Sequence, residues 1–103
     1  MRSRFSAYAI GLAPYIVDTT DPEGPQWQRD LPGWLQEITQ FSTAYDFVGL
    51  AILSHATHLQ TAMVSFRATL KSGHEDEYLC EKSHFTSSSG RWLYHSGTAM
   101  PQP

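Results

Sequence analysis

The chain has 103 residues, a formal charge of −3, and 41% hydrophobic and 13% aromatic residues, which is typical of one soluble globular domain. Seven Lys and Arg residues against ten Asp and Glu residues form no basic cluster, which excludes a nucleic-acid-binding surface. No apolar run approaches the ~20 residues that cross a bilayer, and the single cysteine excludes an internal disulfide.

The N-terminal residues resemble a signal peptide only superficially, because Tyr8, Gly11 and Pro14 interrupt the apolar run between Phe5 and Val17. We therefore expect a single domain over residues 1–103, located in the cytoplasm, with neither nucleic acid nor a membrane as a partner.

Two helical regions come first in the chain. Apolar residues at helical spacing predict a first helix, and Pro14 predicts a kink or restart within it because proline lacks the amide donor. After a loop at residues 21–25, a second helix is predicted from about Pro32 to Thr43, with Asp30 as its N-cap. The apolar stripes are Phe5, Ala9, Leu12 and Ile16 in the first helix, and Trp34, Leu35, Ile38 and Phe41 in the second.

From Phe47 onward the pattern predicts four strands. Residues 47–56 are mostly apolar, and in residues 61–70 apolar side chains alternate with polar ones. Turns at residues 57–60, 71–74 and 86–90 then join successive strands. The predicted fold class is α+β, with two N-terminal helices packed on a curved four-stranded antiparallel sheet.

The last predicted hairpin carries a carboxylate among aromatic residues. If Phe85 pairs with Trp92, strand alternation places Glu81, Ser83 and Phe85 on the same face as Trp92 and Tyr94. An unpaired buried carboxylate is costly, so Glu81 needs a cationic or hydrogen-bonding partner, or it is an acid or base with a specific role.

Motifs spread over nearly the whole chain resemble one family. They are Met1–Tyr8, Tyr15-Ile16, Thr19, Pro22, Gly49-Leu50, Val64–Ala68, Glu81–Phe85, Gly90–Tyr94 and Gly97. Together they resemble the central domain of the YchJ-like proteins, which is similar to the nuclear-transport-factor-2/ketosteroid-isomerase superfamily. The resemblance implies a cone-shaped, cystatin-like fold, and it implies no established reaction.

The sequence departs from that family in two places. Family members usually carry SEC-C segments, thought to bind zinc, beside this domain, whereas this sequence starts at Met1 inside the motif and stops at Pro103. The zinc binding of the longer family members is therefore not expected of this chain, and no cofactor is expected. The family's Thr-x-His-Pro pattern reads Thr19-Thr20-Asp21-Pro22, so a role for an imidazole is not carried over either.

Glu81 has two interpretations. In a cone-shaped fold the first helix crosses the mouth of the sheet, and Arg4 or Arg2 then pairs with Glu81 and holds the helix on the sheet. In the alternative, Glu81 is a general base and Tyr94 a hydrogen-bond donor, as in ketosteroid-isomerase-like lyases or isomerases. We favour the structural interpretation because ion-pair networks are common outside active sites.

Two surfaces are candidates for binding. Trp34, Phe66, Phe85, Trp92 and Tyr94 line a predicted core or pocket between the second helix and the sheet, where an open cone suits a small apolar ligand.

The outer sheet face carries Cys80, His84 and His95, but zinc needs about four well-placed ligands, so no metal site is predicted. The same face, with Met63, Tyr78 and Leu93, is a candidate homodimer surface. The expected function is small-molecule or protein binding without demonstrated catalysis.

Overall fold

The computed structural model describes residues 1–100, which form three helices and one sheet. The helices are α1 (Arg2–Ile10), α2 (Ala13–Asp18) and α3 (Leu31–Ala44), and the strands are β1 (Asp46–His58), β2 (Thr61–Ser72), β3 (Glu75–Ser88) and β4 (Arg91–Ala99). The strands follow one another in the order β1-β2-β3-β4, and each neighbouring pair is antiparallel. The predicted α+β fold is confirmed.

The first predicted helix is divided into two. Gly11 ends α1 in the left-handed conformation (φ 75°), and α2 begins with Pro14 in its first turn, so the chain restarts rather than kinks. The predicted stripe is wrong at Ala9 and Leu12, which are exposed, because Ala9 lies off the buried face of α1 and Leu12 lies in the short link before α2. The two helices instead bury Arg4, Ala7, Ala13 and Ile16.

Helix α3 confirms the predicted second helix. The carboxylate of Asp30 accepts a hydrogen bond from the backbone N–H of Gly33 (3.2 Å) and caps the helix. Trp34 and Ile38 are buried against α1 and α2, whereas Phe41 lies partly exposed at the edge of the stripe.

The core has two adjoining parts. One lies between the helices and contains Ala7, Ala13, Ile16, Trp34 and Ile38. The other lies between the inner sheet face and α1, where Phe66, Ala68 and Leu70 of β2 are buried with neighbouring aromatic residues packed against them.

The pairing of β3 with β4 differs from the prediction. Phe85 pairs with Tyr94, and Ser87 pairs with Trp92, with a bulge between His84 and Phe85. The predicted Phe85–Trp92 pair is wrong by two residues, because the turn is only Ser89-Gly90, both with positive φ, and not the whole of residues 86–90. Trp92 therefore lies near the end of the sheet, 45% exposed.

None of the helices in residues 1–100 combines the length and the apolar character that a membrane span requires.

Candidate functional site

Tyr94 is held by the segment that follows α2. Its backbone N–H donates to the carbonyl of Thr19 (2.7 Å), and its carbonyl accepts from the N–H of Asp21 (2.8 Å). Thr20, between them, forms an isolated bridge with Tyr94. These bonds fix the Tyr94 side chain between the helices and the inner sheet face.

The Glu81 side chain reaches Tyr94, although its partner in the sheet is Ala99. Its Oε2 accepts hydrogen bonds from the Ser83 hydroxyl (2.6 Å) and from the Tyr94 hydroxyl (3.0 Å), and Ser83 is completely buried. We call Glu81, Ser83, Tyr94 and Gly97 the Glu81 cluster. Gly97 belongs to it because a Cβ atom at this position would overlap both the Glu81 carboxylate and the Tyr94 hydroxyl.

The protonation of Tyr94 follows from this setting. Burial, and then the nearby Glu81 carboxylate, raise the pKa of Tyr94 far above its usual value. The phenol therefore stays protonated and keeps donating its hydrogen bond to Glu81.

Arg4 is buried next to the Glu81 cluster but does not form an ion pair with it. Its Nη1 donates to the Ile16 carbonyl (3.1 Å) and to the hydroxyls of Thr19 (2.7 Å) and Thr20 (3.3 Å). Its Cζ lies 4.6 Å from the centre of the Tyr94 ring, a cation–π contact. Burial lowers the pKa of Arg4 from its usual value.

The predicted ion pair between Glu81 and Arg4 or Arg2 is therefore wrong. Arg2 is exposed, and within residues 1–100 the only ion pair joins Arg91 to Asp18 (2.8 Å). Tyr94 connects the two groups instead, since its ring faces Arg4 while its hydroxyl binds Glu81.

A cavity of about 380 Å³ lies between the helices and the sheet, and we call it the inner cavity. Its wall includes five of the predicted site residues, namely Arg4, Trp34, Phe66, Glu81 and Tyr94. The remaining lining residues are Met1, Tyr8, Ile16, Thr20, Gln26, Gln28, Glu37, Ile38, Phe41 and Leu79. Apolar side chains form one part of the wall, and Glu81 and Tyr94 of the Glu81 cluster form another.

A second cavity of about 390 Å³, the side cavity, lies on the other side of Arg4. Phe85 and Trp92 line this cavity rather than the inner one, so the predicted aromatic pocket is divided in two. The other lining residues are Met1, Ser3, Arg4, Tyr15, Thr19, His55, Thr57, Ala62 and Val64. Of the other predicted site residues, Arg2 and Ser83 line neither cavity.

The outer-face residues lie apart from both cavities. The rings of His84 and His95 approach each other to 5.2 Å between centroids, but Cys80 is buried further along β3, opposite Arg67. Within residues 1–100, no three His, Cys, Asp or Glu side chains are grouped as metal ligands.

Sequence reasoning did not assign Thr19, Thr20 or Gly97 to the site. A glycine inside a predicted strand signals a close approach of another group, and Gly97 follows this rule. The two threonines carry no comparable signal, because their contacts with Arg4 depend on how α2 packs on α1.

The helices packed on one face of the antiparallel meander define an NTF2-like α+β fold. The family model described as "YchJ, middle NTF2-like domain" matches residues 1–97, and the chain belongs to this family.

The chain is similar to proteins of several bacteria. It is 32% identical to a UPF0225 protein of Vibrio parahaemolyticus over 95% of this chain and 56% of the relative. It is 33% identical to one of Corynebacterium glutamicum, over 94% of this chain and 71% of the relative.

The solution structure of a SEC-C motif containing protein from Rhodopseudomonas palustris has a TM-score of 0.83 and 30% identity, covering 98% of this chain and 76% of that one. The chain spans a smaller share of the Vibrio relative, little more than half of that protein's length.

Proposed function

We propose that this domain binds a small, mainly apolar molecule in the inner cavity. A volume of about 380 Å³ lies in the range of small-molecule sites. The observation that supports the proposal is the composition of the wall, in which Trp34, Ile38 and Phe66 face a few converging polar groups. Such a wall holds an apolar body and orients one polar group.

The charges of the inner cavity narrow the class of ligand. Two carboxylates, Glu37 and Glu81, and one cation, Arg4, contribute to the wall. The excess of negative charge disfavours an anionic ligand by like-charge repulsion, and the carboxylates favour a group that donates a hydrogen bond. The proposed ligand is therefore an uncharged molecule with a hydroxyl or N–H group.

Binding is favoured over ketosteroid-isomerase-like catalysis by the hydrogen bonds inside the Glu81 cluster. Oε2 of Glu81 already accepts hydrogen bonds from the hydroxyls of Ser83 and Tyr94. Tyr94 donates to Glu81, so its hydroxyl is not free to polarise a substrate carbonyl. The two groups needed for that chemistry are engaged with each other.

An NMR titration with 2-naphthol, an uncharged aromatic alcohol, tests the proposal. In a ¹H–¹⁵N spectrum the indole N–H of Trp34 reports on the inner cavity and that of Trp92 on the side cavity. We expect the Trp34 signal to shift with saturation while the Trp92 signal stays in place. An unchanged Trp34 signal would contradict the proposal.

A blocking variant supplies the control. Leu79 lines the inner cavity and is 42% exposed, so Leu79→Trp should obstruct the cavity without disturbing the core and weaken 2-naphthol binding at least tenfold. Ile10→Trp makes a similar change at a position that is 72% exposed and lines neither cavity, and it should bind like the parent protein.

A further inference from the structure

The side cavity adjoins a buried cation that has no ion-pair partner in contact with it. Arg4 is only 8% exposed, yet within residues 1–100 no carboxylate pairs with it. Nη1 donates to one carbonyl and two hydroxyls, the side chain is also hydrogen-bonded to Tyr8, and the guanidinium faces the Tyr94 ring. These groups replace part of its hydration, and the nearby Glu81 carboxylate offsets part of its charge, but within the described residues no carboxylate contacts the guanidinium to form an ion pair.

The two cavities beside Arg4 differ in charge. The inner cavity contains Glu37 and Glu81, whereas the described wall of the side cavity contains no carboxylate. The side cavity also offers the His55 ring and the hydroxyls of Ser3 and Thr19 as hydrogen-bonding groups. An anion that compensates Arg4 is therefore better accommodated in the side cavity.

The opposite wall of the side cavity is apolar. Val64 and Phe85 contribute to it, and Trp92 is 45% exposed, so its ring offers uncovered surface to a ligand.

We propose that the side cavity binds an organic carboxylate whose charged group pairs with Arg4 and whose apolar body lies against Trp92. Nη1 donates to Ile16, Thr19 and Thr20, and the side chain also hydrogen-bonds Tyr8, but a guanidinium carries five N–H groups, so donors remain for a carboxylate. Two adjacent N–H groups match the two oxygens of a carboxylate. This site is separate from the inner cavity and does not depend on its occupancy.

A matched pair of probes tests the proposal. 2-Naphthoate and 2-naphthamide have the same ring system, but only the first is an anion. In an NMR titration we expect 2-naphthoate to shift the Trp92 indole signal, to leave Trp34 unaffected, and to bind at least tenfold more tightly than 2-naphthamide. Equal binding of the two probes, or a response at Trp34 instead of Trp92, would overturn the proposal.

Variants at positions other than Arg4 locate the binding site, so this test does not require an Arg4 variant that folds. Thr57 is an exposed residue of β1 in the wall of the side cavity, so Thr57→Trp should weaken 2-naphthoate binding at least tenfold. Thr98→Trp, at an exposed β4 position outside both cavities, should have no effect. Undiminished binding in Thr57→Trp would reject the site.

The same variants separate the two proposed sites. Leu79→Trp should leave 2-naphthoate binding intact, and Thr57→Trp should leave 2-naphthol binding intact. Arg4→Gln, provided that its spectrum remains that of a folded protein, should remove the preference for 2-naphthoate over 2-naphthamide. A folded Arg4→Gln protein that retains the preference would also contradict the proposal.

Discussion

At the scale of single residues, Tyr94 joins two oppositely charged side chains that do not touch. Its ring packs under the guanidinium of Arg4 and its hydroxyl donates to Glu81. The aromatic ring thus takes the place of a direct ion pair and spares the protein the full desolvation of two charges in contact. The arrangement requires a main-chain site without a Cβ, which Gly97 supplies.

We predict that Gly97→Ala destabilises the fold by about 1–3 kcal/mol, because the new methyl group displaces the Glu81 carboxylate and the Tyr94 hydroxyl. Urea denaturation measures the change in the free energy of unfolding. Gly49→Ala is the control, since a Cβ there meets Thr69 at an ordinary contact distance of 3.7 Å. Equal losses in the two variants would contradict the role of Gly97.

We predict that Glu81→Gln costs about 1 kcal/mol and Glu81→Leu about 2–4 kcal/mol. Glutamine still offers an oxygen to Ser83 and Tyr94, whereas leucine leaves the fully buried Ser83 hydroxyl without its acceptor. Denaturation midpoints and slopes give both values. A glutamine variant as unstable as the leucine variant would show that the charge itself is required.

At the scale of elements, the segment after α2 connects the helices to the edge strand β4. Besides its main-chain bonds to Tyr94, this segment carries Asp21, whose carboxylate accepts from the Thr86 hydroxyl (2.6 Å) and the Glu23 N–H (2.9 Å). The aspartate in place of the family's histidine thus ties the loop to β3 and β4.

The stabilisation that the hydrogen bonds of Asp21 contribute should depend on pH. The hydrogen bond from Thr86, and then that from Glu23, lower the pKa of Asp21 below its usual value. A carboxyl group whose pKa is lower in the folded state contributes its full stabilisation at pH values above its unfolded-state pKa of about 3.9. This stabilisation is lost as the pH falls through the folded-state pKa.

We predict that Asp21→Asn flattens the decrease in melting temperature between about pH 5 and pH 3. Differential scanning calorimetry at several pH values measures the slope. Asp76→Asn, at an exposed position in β3, serves as the control and should keep the parent slope. Identical slopes for Asp21→Asn and the parent would contradict the prediction.

At the scale of the whole molecule, the helices cover only the inner face of the sheet. The outer face presents Met63 opposite His84 and Leu93 opposite Thr86, so apolar and polar side chains are mixed there. A homodimer through this face stays a prediction.

We predict that two copies associate through this face, which sedimentation velocity detects as twice the monomer mass. Leu93→Glu places a charge on the outer face and should shift the protein to a monomer, whereas Ile10→Glu on α1 should not. A monomeric parent protein at high micromolar concentration would contradict the prediction.

The order and type of the elements are readable from the chain, because hydrophobic spacing and turn residues act over a few neighbours. The α3 boundaries, the Asp30 cap and the four-stranded meander follow from such local patterns.

The composition of the site cannot be read from the chain in this way, because the site depends on residues that are far apart in the chain. The bulge beside Phe85 depends on the pairing of β3 with β4, and the acceptors chosen by Arg4 depend on how α1 and α2 pack together. The packing of the helices, which joins Arg4 to residues 12 to 16 positions away and to Tyr94, divides one predicted pocket into two cavities, and of the two described walls only that of the inner cavity contains carboxylates.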